Sequence, residues 1–175
     1  MWLTLPRIVL AGVSSSVGKT TMTTAFIAHL RTRGIQVQPF KVGPDYIDPS
    51  HLALAAARPC YNLDTWMTPP GRMLDVFCMA AASAEIALIE GMMGLYDGER
   101  STSDVGSTAE VAKILRALVV LVIDASAMAT SGTPGQSECA LLLEQLGLSL
   151  VSSPAVNPFN IGGNARDDPT GVSSS

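Results

Sequence analysis

The segment Gly12-Val13-Ser14-Ser15-Ser16-Val17-Gly18-Lys19-Thr20-Thr21 constrains this chain more than any other. It follows an apolar run, Ile8 to Ala11, and leads into a helical pattern from Thr20 to Leu30. A strand, a turn of small residues and a helix opening on Gly-Lys-Thr make a phosphate cradle. Small residues let backbone N–H groups converge on an anion, and the helix N-terminus adds about half a positive charge. In such a cradle Lys19 reaches the outer phosphates and the Thr20 hydroxyl coordinates magnesium. A nucleotide with Mg2+ is therefore the expected ligand of Gly12, Ser14, Ser15, Ser16, Val17, Gly18, Lys19, Thr20 and Thr21. Five residues separate Gly12 from Gly18, where the common loop has four. ATPases that sort partners and partition cargo carry a second lysine five positions before the loop lysine, and here that position is Ser14.

The rest of the chain alternates strands and helices. Residues 7–12 read as a buried strand, 19–33 as a helix closed by Gly34, and Ile35 to Phe40 as a second strand. Asp48-Pro49 reads as an N-cap and first helical position before a short helix over 50–57, and Pro69-Pro70 opens another helix to about Ala82. Ile86 to Ile89 is a short buried strand. Ser107-Thr108-Ala109-Glu110 is a capping box for a helix over 108–116, followed by a valine-rich strand, Leu118 to Ile123. Thr133-Pro134-Gly135-Gln136 opens a last helix that stops at Gly147. This order predicts an α/β fold with a mostly parallel sheet and helices on both faces. Residues 1–151 form the domain, and the Ser-, Pro-, Gly- and Asp-rich stretch 152–175 is expected to be a disordered tail.

Ligands of such sheets sit beyond the carboxyl ends of the strands. The chemistry-bearing residues cluster there: Lys41 to Asp45 after the second strand, Glu90-Gly91 after the third, Asp124 after the fourth. Magnesium on a nucleotide needs hard oxygen ligands, usually one of them an acid at a neighbouring strand end. Glu90 and Asp124 are candidates, and Asp45 is a third. Asp48 and Glu110 have ready explanations as helix-start residues. His29 reads as a surface or packing residue, and His51 lies near the acidic loop. Two isolated histidines and scattered cysteines give no zinc-ligand spacing. No nucleophile elbow is present.

Composition narrows the classes. A hydrophobic fraction of 47% over 175 residues supports one real core, and a net charge of −4 argues against a nucleic-acid surface. Cys60, Cys78 and Cys139 are odd in number and far apart, which fits a reducing compartment. Arg7 interrupts the N-terminal apolar stretch, and Ala117 to Ile123 is too short to span a bilayer. A cytoplasmic protein with no membrane partner is expected; a homodimer is compatible with the sequence.

Four further segments carry a family resemblance: Phe40 to Pro49 (FKVGPDYIDP), Asn62 to Met67 (NLDTWM), Ile89 to Gly98 (IEGMMGLYDG) and Gly106 to Lys113 (GSTAEVAK). Together they resemble the N-terminal half of cobyrinate a,c-diamide synthase and its hydrogenobyrinate-using relatives, over roughly residues 5–130. Dethiobiotin synthetase is similar at the phosphate loop but lacks the Gly-Pro-Asp-Tyr-Ile-Asp-Pro segment. The resemblance implies a P-loop, dethiobiotin-synthetase-like fold and an ATP-dependent amide synthase of cobalamin biosynthesis. Two peripheral carboxylates of a corrin ring are phosphorylated, and ammonia displaces the phosphate. It implies Lys19, Asp45, Glu90 and Asp97 as catalytic, Thr20, Asp45 and Glu90 at the metal, and Tyr46, Ile47 and Asp97 near the corrin carboxylate.

The family continues into a glutaminase domain that supplies ammonia from glutamine, and into an Asn-Arg segment that contacts the base. Val151 to Ser175 has neither, since Asn157 and Asn160 lack a following arginine. A truncated or frame-shifted end, with the change between Ala129 and Ser152, is the expectation. Two other classes stand beside this one: a nucleotide-switch ATPase that binds a partner protein, and a non-catalytic remnant.

Overall fold

The computed structural model describes residues 4–98 and 104–124, all within one compact unit, Met1–Ala125. The helix expected from Pro134 and the expected tail lie outside the described residues. Five strands form one sheet in the order β3-β2-β4-β1-β5, every pair parallel. They are β1 (Arg7–Gly12), β2 (Val37–Val42), β3 (Tyr61–Leu63), β4 (Ile86–Gly94) and β5 (Leu118–Val122). The helices between them are α1 (Lys19–Thr32), α2 (Asp48–Ala56), α3 (Pro70–Ala81) and α4 (Thr108–Leu115).

Strand alternation decides which helix covers which face. Leu10, Val37 and Leu88 point to one side and pack with Ile27 of α1 and Leu52 and Ala56 of α2. Their neighbours Val9, Ala11, Phe40, Val42 and Ile89 point to the other, against Met73 and Phe77 of α3 and Val111 and Leu115 of α4. Phe40 and Phe77 stack there with ring centroids 4.9 Å apart. Burial on both faces explains why β1 and β4 read as unbroken apolar runs rather than alternating ones.

The observed boundaries depart from the sequence expectation in several places, and β2 ends at Val42 rather than Phe40, which puts Lys41 inside the strand. β2 starts at Val37 rather than Ile35, because the Ile35 N–H donates to Leu30 O and closes α1 through Gly34 at φ 80°. β3 is a three-residue strand beside β2 that was not anticipated. α2 starts at Asp48, not at residue 50, and its N-cap is Ile47. β4 runs on to Gly94 through a bulge: Leu10 pairs with Glu90, but Gly12 pairs with Gly94. Among the described residues no helix is long and apolar enough to cross a membrane.

Candidate nucleotide site

The loop from Val13 to Gly18 leaves β1 and is wound through left-handed conformations at Ser16 (φ 63°) and Gly18 (φ 88°). Such winding gathers successive N–H groups into an anion-binding concavity. α1 begins with no side-chain cap and no acidic residue in its first turn. Its leading N–H groups and its positive dipole end are therefore available to an anion. Gly12 is needed for close packing: a Cβ there would lie 2.7 Å from Val17 Cγ2 and 2.9 Å from Lys19 Nζ. Lys19 Nζ donates to Ser14 O at 2.8 Å, so the loop folds around its own lysine. Burial, helped by nearby Lys41, holds the Lys19 pKa below the ordinary lysine value, while Glu90, Asp97 and Asp48 oppose that shift.

The loop opens on a cavity of about 440 Å³ at the carboxyl ends of the strands. Ser15, Ser16 and residues 18–21 line it, and so do Asp45 and Glu90. The sheet order explains this convergence, since β4, which carries Glu90, lies between β1 and β2. Thr20 Oγ1 donates to Glu90 Oε1 at 2.5 Å, joining two residues 70 positions apart in the chain. Glu90 is fully buried, and its Oε2 has no hydrogen-bond partner.

Lys41, named from the sequence only as the first residue after the second strand and given no role there, lies near the carboxyl end of β2 and is the hub of the site. Its Nζ lies 2.7 Å from Asp48 Oδ2, 3.0 Å from Glu90 Oε1 and 3.5 Å from Asp45 Oδ2. Burial works against its charge, but hydrogen bonds to Asp48 and Glu90 hold its pKa above the ordinary lysine value. Asp48 is not the N-cap that its position before Pro49 suggested; it is the first helical residue, and its carboxylate bonds Lys41. The turn into α2 is held instead by Asp45, whose Oδ1 accepts from Ile47 N at 2.8 Å and Asp48 N at 3.3 Å. Burial raises the Asp45 pKa, but these bonds, Asp48 and Lys41 together hold it below the usual carboxylate value.

The three residues expected beside a substrate carboxylate do not line the cavity. Tyr46 and Ile47 are 88% and 72% exposed, between the lining residues Asp45 and Asp48. Asp97 is exposed, and its Oδ2 accepts from Gly94 N at 2.8 Å in a turn at the end of β4. Asp124 is exposed and does not line the cavity either. His29 and His51 are exposed helix residues. Burial, reinforced by Glu90, pushes the Cys60 thiol up to about 12. Among the described residues no three His, Cys, Asp or Glu side chains form a metal site by themselves. The Thr20–Glu90 pair, with an unpartnered buried carboxylate oxygen beside it, suits a hard cation whose other ligands come from phosphates and water.

Residues 8–123 match the CobQ/CobB/MinD/ParA nucleotide binding domain. The chain is 51% identical over 129 residues to a cobyrinate a,c-diamide synthase of Syntrophotalea carbinolica, an alignment covering 74% of the chain and 28% of that protein. A cobyrinate a,c-diamide synthase of Dehalococcoides mccartyi is likewise 51% identical over 129 residues, with the same coverage. A hydrogenobyrinate a,c-diamide synthase of Streptomyces coelicolor is 50% identical over 127 residues, covering 73% of the chain and 26% of that protein. The chain thus spans little more than a quarter of the length of these curated relatives. The loop after β1, the acid on the neighbouring strand and the match over residues 8–123 agree: the chain belongs to the CobQ/CobB/MinD/ParA nucleotide-binding domain family.

Proposed function

We propose that this chain binds ATP with Mg2+ in the cavity and uses the γ-phosphate to activate corrin carboxylates for amidation, as in a cobyrinate or hydrogenobyrinate a,c-diamide synthase. The observation that carries this is the meeting of Lys19, Thr20 and Glu90 at one cavity opening on an uncapped helix N-terminus. Thr20 and Glu90, with Asp45 nearby, would hold the magnesium, which supplies charge neutralisation on the phosphates. Lys19 and the loop N–H groups bind and orient the triphosphate. The carboxylate oxygen then attacks the γ-phosphorus, the bond to the β-phosphate oxygen breaks, and ADP leaves. Ammonia adds to the acyl carbon of the resulting acyl phosphate, inorganic phosphate departs, and an amide remains. This chemistry asks for alignment and charge stabilisation rather than a protein nucleophile, and no nucleophilic role is assigned to the lining residues.

Tyr46, Ile47 and Asp97 are the proposed contacts to the carboxylate-bearing side of the ring. Tyr46 and Ile47 are exposed and stand in the chain between the lining residues Asp45 and Asp48, which supports this reading. Ammonia delivery is assigned to a glutaminase domain, as in the family resembled. The test is ATP, ammonia and cobyrinate together, with ADP and amidated corrin followed in one reaction. One ADP per amide is the expected result. ADP release indifferent to cobyrinate, but raised by a protein partner, would transfer the chain to the nucleotide-switch class.

A further inference from the structure

Apart from Met92 and Met93, every residue lining the cavity is charged, hydroxylic or glycine. These two methionines are placed there by the bulge in β4, between Glu90 and Gly94. The bulge has dedicated supports. Thr108 Oγ1 accepts from Met92 N at 3.0 Å and donates to Met92 O at 3.1 Å. A Cβ on Gly91 would lie 2.7 Å from Thr108 Cγ2. A Cβ on Gly43 would lie 2.4 Å from Met92 Sδ. Met93 itself is held at φ 48°, a conformation that a non-glycine residue adopts at a cost, and is 52% exposed. An apolar side chain in strained backbone, half in solvent, gains little from the fold. A triphosphate has no use for it either.

We infer that Met93 is a contact residue for the acceptor, the apolar wall against which the body of the carboxylate-bearing substrate rests beside the phosphates. The inference rests on the proposed function above and adds the residue that would distinguish an acceptor with an apolar face from a small polar acid. Tyr46 and Ile47, between the lining residues Asp45 and Asp48 in the chain, are exposed as well. A thioether is well suited to an irregular apolar ligand surface.

The test uses the 175-residue chain and two variants, Met93→Gly and Met93→Asn, both of which tolerate a positive φ. Cobyrinate binding is followed by its visible absorbance in the presence of a non-hydrolysable ATP analogue and Mg2+. Analogue affinity and melting temperature are measured in parallel. Both variants should weaken cobyrinate binding about tenfold or more, the effect of exposing one apolar side chain's worth of contact. Analogue affinity should stay within about twofold, and the melting temperature should not fall, because strain is relieved. Unchanged cobyrinate affinity in both variants overturns the inference alone. A fall in melting temperature or an equal loss of analogue binding assigns Met93 to the fold and also overturns it. A parent chain that binds the analogue but no cobyrinate overturns the proposed function together with the inference.

Discussion

Lys41 balances the site's acids at the scale of a single residue. Glu90 is fully buried, one of its oxygens is unpartnered, and the other is shared by Lys41 and Thr20. Removing the ammonium would leave a buried carboxylate without a counter-ion, a change that typically costs about 3–5 kcal/mol. Lys41→Met should therefore lower the urea midpoint well beyond a surface substitution, while Lys41→Arg recovers part of the loss. A Lys41→Met midpoint equal to the parent's would mean the pair contributes nothing. The same residue sets an alkaline limit. Its folded pKa lies above the ordinary 10.5, so its stabilisation is complete below that value and is lost as pH rises through the folded pKa. Asp45 has the opposite sign: its pKa is lowered on folding, so its contribution is present above the ordinary carboxylate value of 3.8 and is lost as pH falls through the folded pKa. Asp45→Asn should make the acid limb of a stability–pH curve shallower. An unaltered limb would remove Asp45 from the account.

At the scale of elements, helix starts are held by specific side chains, and they differ in how readable they are. α4 follows its capping box closely: Glu110 N donates to Ser107 Oγ at 3.2 Å. The Glu110 carboxylate reaches one residue further back than the motif suggests, accepting from Gly106 N at 2.7 Å and from Thr65 Oγ1 at 2.5 Å. That second bond ties α4 to the loop after β3. Ser107→Ala should cost about 1 kcal/mol of unfolding free energy, the usual worth of an N-cap hydroxyl. Chemical denaturation measures it, and a change below a few tenths would show that the Glu110 bonds suffice. The strands β1 and β4 were legible because burial on both faces leaves long apolar runs. β3 was not, since three residues carry no period. Lys41 was hidden for another reason. It sits in a strand; Asp45 and Asp48 reach it from the turn that follows, and Glu90, 49 positions away, is brought to it only by the strand order. Asp48 was misread because Asp-Pro is a common cap signal, and no local rule says that Asp45 takes the capping work. The bulge at Met93 depends on Gly43 and Thr108, two segments remote from it in sequence.

For the whole molecule, the sheet acts as a device that brings one loop and two strand ends to a common point. The loop supplies cationic and N–H groups, while β2 and β4 supply a lysine already paired with acids. The Lys19 ammonium donates to Ser14 O and the Thr20 hydroxyl to Glu90 Oε1. A Mg2+–nucleotide complex would bind the assembled site and not the unfolded chain, so binding and folding are linked. A ligand present at 100 times its Kd raises stability by about 2.7 kcal/mol, which for a domain of this size is a shift of several degrees. ATP with Mg2+ should therefore raise the melting temperature clearly, and ATP with excess EDTA much less, because Thr20 and Glu90 then face the phosphates without the cation that reconciles them. Glu90→Gln should reduce the difference between these two conditions, and Lys19→Ala should abolish the shift in both. A shift of equal size with and without magnesium would remove Thr20 and Glu90 from the metal. A shift that survives Lys19→Ala would place the nucleotide somewhere other than the loop that follows β1.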